Sequence, residues 1–336
     1  MKKLIIFLIA FLCLTADVWA FEPPKLSETD RTRLAEAFRL GEKLSDKIWQ
    51  NWKQTPFSVL LVTPENEFLV RHSRPSKDFS LINSDSLLKS NVFWRKTTFN
   101  PSFLATFPAV GGISTIVVGQ AENTTRKTST PWVITLLHEH FHQLQDSQTG
   151  IYQEINQLNL SGGDQTGMWM LNFPFPYADK TVGKDFEALC RQLAELIETK
   201  NKIEFQDKLS KYLQTRKLFE QSLKPADYKY FSFQLWKEGV ARYTEYKIAN
   251  LAAQAYQPGK AFRRLKDYQT YKQTANEIRA GIIKELKTLE LGKYERTAFY
   301  PFGAGEALVL DRSNPNWKNR YLSEKFFIEK YFEKTK

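Results

Sequence analysis

The spacing of apolar residues changes along the chain and indicates two kinds of secondary structure. Apolar residues three or four apart predict a long amphipathic helix that begins near Ser27. Two short runs rich in Val and Leu, residues 57–63 and 67–72, are separated by a proline turn and predict a β-hairpin. A third run, 111–119, has glycines at both ends and predicts another strand. The first half of the chain should therefore contain a small sheet.

Strand patterns almost disappear near residue 181, after a loop-like stretch at 147–180 that is rich in Gly, Pro and aromatic residues. The pattern predicts an α+β fold, with a mixed lobe at 21–180 and a helical lobe at 181–336. No linker separates the lobes, so we expect a single domain over 21–336. Helices are expected at 183–200, 202–221, 226–255, 259–290, 300–312 and 316–333.

The N-terminus has the features of a secretory signal peptide over residues 1–20. Lys2 and Lys3 precede the apolar stretch 4–14, and Val18-Trp19-Ala20 provides small residues for cleavage before Phe21. An uncleaved N-terminal anchor is the alternative. No later run is long and apolar enough to cross a membrane. We therefore predict a secreted or periplasmic protein without a transmembrane span in its mature chain.

The charge composition does not indicate a specific class of binding partner. There are 48 Lys and Arg against 37 Asp and Glu, a formal net charge of +11. The basic residues are mixed with acidic ones and form no long run, so a solvated, mildly basic surface is expected and nucleic-acid binding is not. Only Cys190 remains after signal cleavage, so the mature chain cannot form an internal disulfide. The oligomeric state is open.

The chemistry-bearing motif lies in "LLHEHFHQLQ", on a helix predicted from about residue 131 to 146. His138 and His142 are four residues apart, so both imidazoles can face one ion. Glu139 is rotated about 100° from His138, within reach of a metal-bound water, and H-E-x-x-H is the zinc metalloprotease signature. Glu139 would be the general base. His140 is rotated about 200° and should point away from the ion. It should either contact a residue that binds the metal or lie at the protein surface.

The third metal ligand is not evident from the first motif. No histidine follows His142, and His72 ends a strand before a Pro-containing turn, so a carboxylate on another helix is expected. The best stretch is "LWKEGVARYTEY", in which Glu238, Arg242 and Glu245 share one helical face. A surface ion pair between the first two is the alternative. The small residues beside Glu238 would let this helix approach the metal helix closely.

Taken together, His138-Glu139-x-x-His142 and Glu238-Gly239-x-Ala241-x-Tyr243-x-Glu245 resemble the gluzincin, or peptidase-MA-like, zinc metallopeptidases. The resemblance covers mainly residues 132–146 and 235–247. It implies a zincin-like fold, a Zn²⁺ cofactor and Glu238 as the third zinc ligand. It also implies that Glu245 contacts one of the zinc-binding residues rather than the zinc ion itself. The amine-binding motif of the aminopeptidase branch is missing, so an exopeptidase is not supported.

A peptidase also needs an edge strand to hold its substrate and a donor to the oxyanion. Residues 113–119 are the candidate edge strand, although an ordinary core strand fits equally well. Tyr243, Arg242 and Tyr300 are unranked oxyanion candidates. The favoured function is an exported zinc endopeptidase acting on a peptide or protein. The alternatives are a secreted binding or assembly protein with zinc structural or absent, and a zinc hydrolase of a non-peptide envelope substrate.

Overall fold

A computed structural model describes residues 22–333, so the predicted signal peptide lies outside the described residues. The fold is α+β, as predicted: a six-stranded mixed sheet in the N-terminal region is followed by a mostly helical C-terminal region. The strands are β1 (Val59–Val62), β2 (Asn66–Val70), β3 (Ser80–Asp85), β4 (Ser90–Lys96), β5 (Leu104–Val110) and β6 (Ile113–Gly119).

The sheet has the order β3-β4-β2-β1-β6-β5. Strands β1 and β6 run parallel, and every other neighbouring pair is antiparallel. The predicted hairpin is confirmed as β1 and β2. The predicted strand at 111–119 is confirmed as β6, but its placement at the edge is wrong, since β6 lies between β1 and β5. The edge strands are β3 and β5, and β5 is the one that contacts α2.

Burial explains which strands the apolar pattern detects. Val59 and Leu61 in β1 belong to the main core, whereas Leu60 and Val62 pack in a smaller cluster on the other face of the sheet. Because both faces of β1 are covered, the strand is a continuous apolar run. By contrast, β3 has no buried residue and β5 is buried only at Val110. These edge strands have no regular apolar alternation and were not predicted from the sequence.

Thirteen α-helices lie within the described residues, and none has the length and apolar character that a membrane crossing needs. They are α1 (Glu28–Leu44), α2 (Ser129–Asp146), α3 (Ile151–Gln157), α4 (Trp169–Asn172), α5 (Lys180–Glu198), α6 (Lys202–Ser222), α7 (Pro225–Gln234), α8 (Val240–Ala255), α9 (Lys260–Arg263), α10 (Tyr271–Thr288), α11 (Leu291–Tyr294), α12 (Phe299–Ser313) and α13 (Lys318–Tyr321).

Most predicted helices are present, and two are wrong in extent. The helix expected at 259–290 is divided into α9 and α10, and the one expected at 316–333 is only α13 and a short 3₁₀ segment. Two short helices, α3 and α4, lie in the stretch expected to be a loop. The segment between α9 and α10 contains Asp267, which contacts the first residue of α2.

The start of α2 is fixed by tertiary contacts. Thr128 is the N-cap of α2 and makes no side-chain capping bond. Instead, the Ser129 backbone N–H donates to Asp267 Oδ2 at 2.9 Å and its hydroxyl donates to Oδ1 at 2.7 Å. Arg33 of α1 also donates to Asp267 and to the Ser129 hydroxyl. A carboxylate here satisfies a free N–H and favours the positive end of the helix dipole.

Helices α7 and α8 form one helical run joined by a π-helical turn, Leu235–Gly239. A Cβ atom added to Gly239 would lie 2.5 Å from Gly303 Cα in α12. The π-helical turn and α12 therefore cross with their backbones in contact, which only glycine allows. The small residues beside Glu238 were expected to bring this helix close to α2. That expectation is wrong for Gly239, whose close neighbour is α12.

Candidate metal centre

Helix α2 carries the H-E-x-x-H motif through the centre of the protein, packed against the sheet on one side and α8 on the other. Its residues 132–145 are all buried. His138 and His142 lie one turn apart, and their Nε2 atoms are 3.1 Å from each other. The two imidazoles therefore point at one place, as the four-residue spacing predicts.

Glu238 brings a carboxylate from the π-helical turn to the same place. Its Oε2 atom lies 3.4 Å from His142 Nε2 and 3.8 Å from His138 Nε2. Ligand atoms of a tetrahedral ion at ~2.0–2.1 Å lie about 3.3 Å from one another, so these separations suit a shared ion. His138, His142 and Glu238, called the metal group below, could hold a metal ion. Single π-helical turns occur frequently at functional sites.

The hydrogen bonds of Gln145 determine which nitrogen of His142 is free. The Gln145 amide nitrogen donates to the carbonyl oxygens of Trp236 and Lys237, at 3.2 and 3.1 Å. Its Oε1 atom therefore faces His142 Nδ1, at 2.6 Å, and must accept from it. A proton on Nδ1 leaves the lone pair of Nε2 directed into the metal group. This is the tautomer that a metal requires.

Glu245 has the corresponding position beside His138. Its Oε1 atom lies 2.9 Å from His138 Nδ1. Arg126 Nη2 donates to the same oxygen at 3.0 Å, and Arg242 Nη1 donates to Oε2 at 2.6 Å. The two guanidinium groups keep the pKa of Glu245 well below its usual range despite burial, so the group is an anion. An anion at Nδ1 favours a proton there and a free Nε2.

The carboxylates around His138 create a negative field. Burial by itself would lower the pKa of His138, but Glu238 and Glu245 outweigh burial and raise it to about 10. Burial also opposes ionisation of Glu238, yet the neighbouring His142 and His138 hold the pKa of Glu238 well below its ordinary value. The field that stabilises a proton on the imidazole also stabilises a metal cation. The charge of this site therefore suits the donor set.

Glu139 lies next to the metal group along α2 and is oriented by the sheet. The hydroxyl of Thr106 in β5 donates to Glu139 Oε2 at 2.7 Å. The same hydroxyl lies 3.1 Å from the Glu139 carbonyl oxygen. Glu139 lines the same cavity as the three residues of the metal group. Strand β5 thus fixes the direction of this carboxylate.

The two remaining histidines are outside the metal group. His140 is buried, stacks on Phe57 with ring centroids 3.9 Å apart, and contacts Gln143 through Nδ1. Burial lowers the pKa of His140 to about 3, so it is a neutral core residue and not the surface or ligand contact expected. His72 accepts from the Arg74 N–H at Nδ1, so its Nε2 donates to the Val110 carbonyl. Both nitrogens of His72 are used.

The two tyrosines proposed as oxyanion donors have different surroundings. The Tyr243 hydroxyl donates to Asp311 at 2.8 Å, and Tyr243 does not line the cavity of the metal group. Tyr300 does line that cavity, and its ring stacks against that of His138. The Tyr300 hydroxyl accepts from Arg296 Nη1 at 2.8 Å, and Glu238 is the acceptor near its own proton. Burial raises the pKa of Tyr300 well above its ordinary value, so it remains a donor.

The metal group opens into a cleft of about 990 Å³ between β5, α2 and the helical region. Residues 103–108 of the β5 segment form one wall. The cleft is lined by four large apolar side chains that are exposed to solvent. Among residues 22–333, it is the main exposed apolar surface near the metal group. The four side chains are Tyr152, Met168, Leu171 and Tyr294.

Gln145 offers a test of the metal group that does not depend on activity. Replacing Gln145 with Met is expected to weaken metal affinity by about 10–100-fold, because His142 loses the acceptor that fixes its tautomer. Gln143→Met is the matched control, since Gln143 has the same spacing from His140 but lies outside the metal group. Competition with a fluorescent chelator measures both affinities. Equal affinities in the two variants would reject the role of Gln145.

Several residues around the metal group were not predicted from the sequence. Gln145 lies three residues after His142, and this spacing was the one available signal for it. Thr106 and Arg126 come from segments far from the motif, and no local pattern distinguishes them. Arg296 comes just before α12 and also lacked a signal.

Comparison with protein-family models, curated proteins and solved structures gives no match for this chain. Function is therefore inferred from the side chains of the cleft.

Proposed function

We propose that the protein is a zinc-dependent metallopeptidase that cleaves peptide bonds within its substrate. One observation carries the proposal: two imidazoles and a carboxylate converge on one point of a cleft that Glu139 also lines. A structural metal site does not need this free carboxylate. The donor set of two histidines and one glutamate also belongs to known catalytic zinc sites that keep one position open for water.

A zinc ion held by the metal group would supply Lewis acidity and lower the pKa of its bound water to about 7. Glu139 then accepts the proton of the attacking water and delivers it to the leaving amine. Thr106 holds the carboxylate in the required direction through its 2.7 Å hydrogen bond. The Tyr300 hydroxyl, whose oxygen already accepts from Arg296, donates a hydrogen bond to the oxyanion that develops on the substrate carbonyl.

Strand β5 supports a peptide as the substrate. It pairs with β6 on one side only and lines the cleft beside Glu139. An extended peptide can pair with such an edge through backbone hydrogen bonds and does not need a particular side chain. Side chains of the peptide would then contact the exposed apolar wall of Tyr152, Met168 and Leu171. The proposed location is the periplasm or the exterior, where the N-terminal signal would send the mature chain.

The test combines metal analysis with substrate profiling. We expect about one equivalent of zinc per chain and cleavage of a denatured-protein or peptide library. A strong chelator should remove the activity, and stoichiometric zinc should restore it, because the metal is required for hydrolysis. The measurement is mass spectrometry of new termini. A metal-loaded protein that cleaves no peptide would contradict the proposal and favour a binding or assembly role.

A further inference from the structure

Four Lys and Arg side chains line the cleft, and three of them have a carboxylate within 3.0 Å. Because each of these three cations already contacts a protein carboxylate, it attracts an anionic ligand less strongly than an unpaired cation would. The pairs are Arg126 with Glu245 at 3.0 Å, Arg242 with Glu245 at 2.6 Å, and Lys237 with Asp146 at 2.7 Å.

Arg296 differs from these three. Among residues 22–333, its only carboxylate contact is Glu238 Oε1, at 3.9 Å, and Glu238 belongs to the metal group. Its one hydrogen bond is donated by Nη1 to the Tyr300 hydroxyl. The Nε and Nη2 donors have no protein acceptor within the described part of the chain. Because the side chain is only 21% exposed, a partly desolvated cation has unused donors in the cleft.

The backbone next to Arg296 holds it in this position. Glu295 has φ 46° and ψ −131°, a conformation that a residue with a side chain rarely adopts. Such a strained residue persists only where the surroundings fix it, and strain of this kind clusters at functional sites. Arg296 directly follows the strained Glu295, and its guanidinium enters the cleft. Arg296 is thus directed at the cleft beside Tyr300 and Glu238.

We propose that Arg296 binds a carboxylate of the substrate next to the bond that is cleaved. A guanidinium with two free donors matches the two oxygens of a carboxylate in a bidentate pair. The carboxylate can come from an acidic side chain or, when the cleaved bond lies near the end of the peptide, from its C-terminus. The proposal rests on the proposed peptidase function for the identity of the ligand, but the binding step can be measured without hydrolysis.

The experiment measures peptide binding to the zinc-loaded Glu139→Gln protein, so that bound peptides are not cleaved. Two matched pairs of fluorescent decapeptide libraries are used as probes. The first pair has amidated C-termini and differs by one Glu or Gln at a fixed position. The second has no acidic side chain and differs by a free or amidated C-terminus. Fluorescence anisotropy gives the dissociation constants and shows which source of carboxylate is bound.

We expect about tenfold tighter binding of the carboxylate member of one pair, as for a charge-assisted bidentate contact. Adding Arg296→Gln should remove this preference, and Arg296→Lys should retain part of it. Tyr300→Phe should keep the preference, because it removes the Tyr300 hydroxyl but leaves the guanidinium of Arg296 in the cleft. Arg263→Gln, an exposed arginine outside the cleft, controls for net charge.

Three results would overturn the proposal: no binding of any library, equal binding within both pairs, or a preference that survives Arg296→Gln. Turnover by the zinc-loaded wild-type protein is measured separately. A protein that hydrolyses no peptide but prefers the carboxylate through Arg296 would refute the proposed function and leave the Arg296 site standing. A protein that hydrolyses peptides but shows no preference for the carboxylate would support the proposed function and refute the Arg296 site.

Discussion

Glu139→Gln is expected to lower peptide turnover about 10²–10⁴-fold while the zinc content stays unchanged. The change removes the proton acceptor and keeps the size of the side chain. The amide oxygen can still accept from the Thr106 hydroxyl, so the local structure should persist. The metal group itself is untouched. The variant therefore separates proton transfer from metal binding.

Single-turnover kinetics and metal analysis measure the two properties of this variant. Glu285→Gln is the matched control, because Glu285 lines the same cleft but has no contact with the metal group or Thr106. We expect the control to retain turnover within a few-fold of wild type. Undiminished turnover in Glu139→Gln would reject the assignment of Glu139 as the general base.

Gly239→Ala is expected to reduce the free energy of unfolding by about 1–3 kcal/mol, the usual effect of overpacking. The new Cβ would lie 2.5 Å from Gly303 Cα and 3.0 Å from Gly303 C, which are backbone atoms that cannot rotate away. The π-helical turn and α12 would have to separate. Since Glu238 is the preceding residue, metal affinity should fall together with stability.

The control for this prediction is Gly183→Ala in α5, where an added Cβ meets nothing within 4 Å. Alanine has the higher helix propensity, so this variant should gain about 0.5–1 kcal/mol. Chemical denaturation measures both variants, and a chelator competition measures the metal affinity of each. If Gly239→Ala is as stable as Gly183→Ala, the helix crossing does not position Glu238.

The sequence predicted the features that depend on local spacing. His138 and His142 converge because residues four apart lie on one face of a helix, wherever that helix is placed. The β1–β2 hairpin was predictable because its apolar runs and its turn are adjacent in the chain. The orientation of His140 away from the metal group follows from the same rotation. Its burial against Phe57 does not, since Phe57 comes from a distant segment.

The features that were missed depend on which distant segments meet. The edge position of β5 is decided by the pairing of β6 with β1, a parallel contact between segments far apart in the chain. Asp267 lies between α9 and α10, where one helix was predicted, and it binds Ser129 at the start of α2. In the same way, Gly239 is required by α12 and not by α2. Helix and strand periodicities contain no information about such partners.

By itself, the sequence determined the helix that carries two imidazoles and a carboxylate, and it indicated Glu238 as a further carboxylate ligand. Only the tertiary structure decided that Glu238 lies 3.4 Å from His142, that Thr106 orients Glu139, and that Arg296 has free donors in the cleft. The physical reason is the distance along the chain over which each influence acts. Backbone periodicity fixes neighbours within one or two turns, whereas packing of the whole chain fixes the contacts that make these residues one site.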